Sequence, residues 1–248
     1  MYGRGGYQMG FGPPVTPQVI KNLLIANVAV YVAQILTNHW ITAVGAVVPA
    51  QVWSGQALWQ PFTYMWLHGG LMHIAFNMFA LWMFGSPLAL TWGDQRFLKY
   101  YLVCGVGAGF VIATVPYLFD SPTMIPTLGA SGAVMGVLLA YSFTWPDRTI
   151  MLMFPPIPIK AIWLIPLILV IEFGSDPHGT SNISHAGHLG GVLVGWIYLI
   201  REGRTPGALT LDTLKYRWRR YQMRRKLRSV QMDDLRDRRK RDDERRYH

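Results

Sequence analysis

The chain has 248 residues, of which 51% are hydrophobic and 15% charged, with a formal net charge of +10. A soluble domain carries about 25% charged residues; here seventeen of the 23 Lys and Arg lie beyond position 200, which leaves six basic and five acidic residues for the rest. So little charge among so much Leu, Val, Ile, Phe and Trp excludes an ordinary soluble enzyme and reads as a membrane-embedded chain, while a single cysteine, Cys104, excludes a disulfide framework or a CxxC metal site.

In chain order, residues 1–18 are rich in Gly and Pro and lack the charged-then-apolar layout of a cleaved signal peptide, so they predict a flexible leader. Six apolar stretches follow, at 19–41, 71–92, 97–119, 128–145, 157–173 and 184–200. A helix needs roughly 20 residues to cross a bilayer, so the last three are at the short end. Arg4, Lys21, Arg96, Lys99, Arg148 and Lys160 fall just before, or within the first four residues of, the first, third and fifth stretches, or in the connections that lead into them. The alternate connections hold no Lys or Arg. Basic residues mark the inner side, so both termini are expected in the cytoplasm. The expectation is an all-α polytopic membrane protein, with a six-helix bundle at 19–203 between a leader and a basic tail at 204–248. That tail interleaves Arg and Lys with Leu214, Tyr216, Trp218 and Tyr221. Attached to a membrane domain, it predicts contact with anionic lipid headgroups and not with nucleic acid. The composition points to a bacterial plasma membrane.

Polar residues within spans are costly and tend to be functional. His73, Asn77, Ser131 and His188 all lie near the outer ends of the second, fourth and sixth stretches. At 1.5 Å per residue they share roughly the outer third of the membrane. Ser131, in Gly129-Ala130-Ser131-Gly132, opens a predicted helix. Its plain reading is a small packing residue. Helix N-termini, however, carry N–H groups without intrahelical partners, and such groups suit an oxyanion beside a nucleophile. Ala133 rules out the GxSxG elbow of soluble hydrolases. Gly187, Gly191 and Gly195 recur every four residues beside His188, as Gly132 and Gly136 do beside Ser131. Two such faces let helix axes approach closely, as a hydroxyl and an imidazole nitrogen require. His185 and His188 are one turn apart, and either could face inward. His73 and Asn77 share a helix face and suit an oxyanion. His68, His73, His185 and His188 lack a carboxylate partner or an HExxH pattern, so no metal and no other cofactor is expected.

These residues resemble the rhomboid intramembrane serine proteases. The resemblance rests on Gly129-Ala130-Ser131-Gly132, on His188 in His-x-Gly-Gly, and on His73-x-x-x-Asn77, and it covers residues 19–200. It implies a Ser131–His188 catalytic dyad, choosing His188 over His185, and an oxyanion site of His73, Asn77 and the Ser131 N–H. It implies that His68 lies near an outer water-filled cavity and that His185 supports that region. Single-span membrane proteins, cut near their outer ends, are the implied substrates. Three positions depart from common family patterns: Gln60 after Trp59, Met135 four residues after the serine, and Ala89 four before Gly93. The alternatives are a non-catalytic rhomboid-like binder of membrane clients, and a small transporter using the histidines as a proton path.

Overall fold

The computed structural model describes residues 12–120, 123–152, 156–175 and 182–204, with two helical fragments at 218–219 and 222–223. The chain divides into two compact units, Met1–Arg204 and Thr205–His248. Most of the predicted leader (1–11) and most of the basic tail lie outside the described residues.

Helix α1 (Gln18–Leu36) opens the first unit. Its first-turn N–H groups have no cap from their own segment, and Asp94 supplies one by accepting from the Val19 N–H at 3.2 Å. The first apolar stretch was expected to continue to residue 41. Instead the helix stops at Leu36, and Asn38 and His39 turn the chain through positive φ values of 48° and 63°. Short helices α2 (Trp40–Gly45), α3 (Pro49–Trp53) and α4 (Gln60–Thr63), with a 3₁₀ turn at Tyr64–Trp66, build the long connection that follows. Gln60 organises it: buried, it accepts from the Val48 N–H at 2.8 Å and donates to Gln51 at 2.7 Å.

Helix α5 (Leu71–Ala80), a π turn (Leu81–Gly85) and α6 (Ser86–Trp92) run on as one 22-residue helix. The π turn sits where Pro87 lacks an N–H and its ring would crowd the preceding turn. Ser86 relieves the disturbed ladder by donating to the Trp82 carbonyl at 2.7 Å. Trp82 in turn donates to Thr16, which seats the end of the leader on this helix. Gly93, at φ 84°, reverses the chain into α7 (Asp94–Leu118).

Helix α8 (Ser131–Thr144) is the centre of the unit. Every residue from Gly132 to Ser142 is buried, as expected for a helix apolar on all sides. The fourth apolar stretch was expected to begin at 128, but Leu128–Ala130 is not helical. Thr127 bridges to Val47, and Gly129 takes a φ of 135° that no helix allows. The fifth stretch is also shorter than expected. Residues Pro158–Lys160 form strand β2, which pairs antiparallel with β1 (Thr149–Met151), Thr149 facing Lys160 and Met151 facing Pro158. This two-stranded pairing and the Thr127–Val47 bridge are the departures from an all-α architecture among the described residues. Prolines 156 and 158 keep the segment extended, so the helix begins only after it, as a 3₁₀ turn at Ala161–Trp163 leading into α9 (Leu164–Ser175). Helix α10 (Asn182–Arg201) ends the unit.

Among the described residues three helices are long and apolar enough to cross a membrane: Gln18–Leu36, Leu71–Trp92 and Asp94–Leu118. The other three predicted spans coincide with α8, α9 and α10, of 14, 12 and 20 residues. The molecule is thus a mainly helical membrane protein whose central helix is also one of its shorter ones.

Candidate active site

Three helices and one glycine assemble the candidate site. Helices α8 and α10 meet through their glycines. A Cβ on Gly191 would collide with the Gly132 carbonyl oxygen and lie 2.7 Å from its carbon. One on Gly132 would lie 3.2 Å from the Gly187 oxygen, and one on Gly195 3.3 Å from the Gly136 Cα. The two backbones therefore touch along three turns, which only residues without side chains permit. Ser131 precedes this seam on one side and His188 follows Gly187 on the other. Both line one cavity of about 320 Å³, together with Asn77, Met135 and apolar residues of α5, α8 and α9.

Ser131 is the first residue of α8, where N–H groups lack intrahelical acceptors and the helix dipole favours negative charge. Tyr64 holds the approach to it. Its carbonyl accepts from the Gly129 N–H at 3.0 Å, while its hydroxyl donates to the Gly105 carbonyl of α7 at 2.7 Å. A Cβ on Gly129 would lie 2.9 Å from both Cε1 and Nε2 of His73 and 3.7 Å from the Ser131 hydroxyl oxygen. The Cε1–Nε2 edge of the His73 ring thus lies against bare backbone next to the serine. Gly69 donates its N–H to Nδ1 of His73 at 3.3 Å, so the proton of the neutral ring sits on Nε2, the nitrogen beside Gly129. Asn77, one turn on, uses one amide N–H to donate to the His73 carbonyl at 2.9 Å. Asn77 itself lines the cavity.

His68 and His185 occupy different surroundings from the cavity residues. His68 is 1% exposed and packs edge-on against His73, ring centroids 5.3 Å apart. Gln34 clasps its backbone, accepting from the His68 N–H at 3.0 Å and donating to its carbonyl at 3.3 Å. Burial, and then the neighbouring His73, push the His68 pKa down to about 4. His185 is buried on α10 and is not among the residues lining the Ser131 cavity. Met135 lines the cavity from α8. Among the described residues no three His, Cys, Asp or Glu side chains converge as a metal site would require.

Tyr64 and Gln34 were not anticipated from sequence. Each is a polar residue in or beside the long first connection, and nothing in its local pattern announces a partner 34 to 41 positions away. Ala89, at a position where the resemblance leads one to look for Glu, is buried.

A family model described as "Rhomboid domain" matches residues 55–204. The chain is 32% identical over 200 residues to "RHOMBOID-like protein 12, mitochondrial" of Arabidopsis thaliana, covering 75% of this chain and 59% of that protein. It is 33% identical over 132 residues to "Rhomboid protein 1, mitochondrial" of Saccharomyces cerevisiae, covering 53% and 38%. It is 34% identical over 151 residues to "Presenilin-associated rhomboid-like protein, mitochondrial" of Homo sapiens, covering 56% and 38%. The matches thus span between 38% and 59% of these relatives' own lengths.

Proposed function

The chain belongs to the rhomboid family, and we propose that it is an intramembrane serine endopeptidase working through Ser131 and His188. The observation that carries this reading is one cavity lined by both residues and by Asn77; His73 is not among its lining residues and lies against Gly129, beside Ser131. In the proposed reaction His188 takes the proton from the Ser131 hydroxyl, whose oxygen attacks a substrate carbonyl. The Ser131 N–H, His73 Nε2–H and the Asn77 amide donate to the oxyanion. Protonated His188 then gives its proton to the leaving amine. Water, activated by the same imidazole, hydrolyses the acyl-enzyme.

The proposed topology is six spans with both termini cytoplasmic, which puts the α8 N-terminus toward the outer face. The length of α8 supports a site within the membrane, since 14 residues rise about 21 Å against a hydrocarbon core of about 30 Å. The proposed substrate is a single-span membrane protein. Its helix must unwind locally near the outer end, because an intact helix shields its carbonyls. We also propose that the six-helix catalytic domain extends over residues 19–203 and that the basic tail meets anionic lipid. The three relatives are named as mitochondrial, which does not fit the bacterial plasma membrane expected from composition. The proposal is for an integral membrane enzyme, whichever membrane holds it.

A fluorophosphonate probe tests the reading on the purified chain. Labelling is expected on the parent and absent from Ser131→Ala and His188→Ala. Equal labelling of all three, or none on a well-folded parent, rejects the protease and leaves a non-catalytic binder of membrane clients.

A further inference from the structure

A cleft of about 670 Å³ lies where the α6–α7 junction meets the end of α10, and it shares no residue with the Ser131 cavity. Its volume falls within the range of about 300–1,000 Å³ usual for ligand sites. Arg96 and Lys99, one turn apart on α7, line it together with Trp92, Tyr198 and Glu202. The sequence sets a third cation beside them. Gly203, at φ 63°, closes α10: its N–H donates to the Ile200 carbonyl at 3.0 Å, and the Arg204 N–H donates to the Leu199 carbonyl at 2.8 Å. These are the paired bonds of a glycine cap that turns the chain back along its own helix. Arg204 is thereby directed onto Trp92, its guanidinium 5.0 Å from the ring centre. Trp92 is a firm seat, buried and packed edge-on against Tyr100 at 5.4 Å.

The carboxylates at this corner are already engaged. Asp94 accepts from the Val19 N–H at 3.2 Å, and Glu202 pairs with Arg96. Among the described residues no carboxylate pairs with Lys99 or Arg204. Partial burial, and then the nearby Arg96, lower the Arg204 pKa, so like charges are gathered here with less negative charge than would balance them. An anion relieves that repulsion. Arg offers a planar fork of donors that matches phosphate oxygens, and Lys a point charge. We infer that this cleft binds a phosphate group between Lys99 and Arg204, carried by the headgroup of an anionic phospholipid or by a soluble phosphate ester. The lipid source rests on the topology proposed above, which puts the α6–α7 junction and the end of α10 on the inner side, where anionic headgroups are supplied. It would locate at one cleft the contact proposed for the basic tail as a whole.

The test is acylation footprinting of the full chain in nanodiscs, read by mass spectrometry at Lys99 and, as a control, at Lys160. Phosphatidylcholine discs are compared with discs that also hold a minor fraction of phosphatidylglycerol, and with phosphatidylcholine discs in millimolar glycerol phosphate. In at least one of the two arms acylation of Lys99 is expected to slow about fivefold relative to that of Lys160, the factor for one basic residue near an anionic surface. Protection by phosphatidylglycerol alone identifies a lipid headgroup as the source. Protection by glycerol phosphate, with or without the lipid, shows that the phosphate group itself suffices. Arg204→Gln is expected to remove most of the difference, and Arg204→Lys to keep most of it. The comparison on the unaltered chain requires no variant to fold. No protection of Lys99 in either arm overturns the inference. So does equal slowing of Lys99 and Lys160, which marks diffuse surface charge, or protection undiminished in Arg204→Gln. Both leaflets of a nanodisc carry the same lipid, so the result does not depend on orientation. Fluorophosphonate labelling of Ser131 in the same discs reports the protease reading separately.

Discussion

At the residue scale the proposed chemistry depends on two groups that move a proton and two that hold charge. Ser131→Ala and His188→Ala are expected to lower the turnover of a membrane substrate by at least about a thousandfold each. The double variant should be no worse than either, since the two act as a unit. His73→Ala and Asn77→Ala should instead lower kcat by roughly a hundredfold or more with little change in KM, the mark of donors that act in the transition state. A large rise in KM with kcat preserved would refute that role. His68 makes a different prediction, about stability. Its pKa falls from 6.5 to about 4 in the folded chain, so between those values the unfolded chain binds the extra proton. Its contribution is complete above pH 6.5 and is lost as pH falls toward 4, on the order of 3 kcal/mol in all. His68→Gln, which cannot titrate, should show a flatter fall of thermal midpoint over that window. An unchanged slope would show that other groups set the acid limit.

At the element scale the α8–α10 seam carries the site. Gly191→Ala would drive a methyl into the Gly132 carbonyl, and backbone cannot swing aside as a side chain can. It should destabilise the fold by roughly 1–3 kcal/mol, seen as a lower thermal midpoint in detergent, and separate Ser131 from His188. Gly129→Ala acts more locally. A Cβ there meets the His73 ring at 2.9 Å on a backbone of φ 135°, so activity should fall further than stability. If Gly129→Ala kept full activity, His73 would not need its seat on that backbone. The glycine spacing was legible in sequence as two small faces. Their partner was not, because periodicity reports a face and not what it packs against. Ser131, expected to open a helix, is the first residue of α8; Leu128, Gly129 and Ala130 belong to the fourth apolar stretch but are not helical, Thr127 being bridged to Val47 and Gly129 taking a φ of 135°.

At the scale of the whole molecule the proposed topology is open to a direct measurement. Cys104 is buried, so the parent offers little background to a thiol reagent. Ser54→Cys, in the long first connection, is expected to react with a membrane-impermeant maleimide from outside, and Asp147→Cys only after the membrane is opened. Reaction of both from one side would overturn the six-span path. Sequence alone determined that the chain is membrane-embedded, helical and rhomboid-like, and which polar residues stand near the ends of the apolar stretches. Those properties depend on composition, on a period of one helix turn and on short motifs, all of which are local. Only the tertiary structure decided that His73 lies on Gly129 beside Ser131, that His68 turns inward against His73, that Tyr64 and Gln34 tie the first connection to the site, and that Arg204 stands over Trp92. Each of these joins positions separated along the chain or by a turn whose direction no pattern reveals, and their relation is set by which surfaces pack, not by the residues on either one.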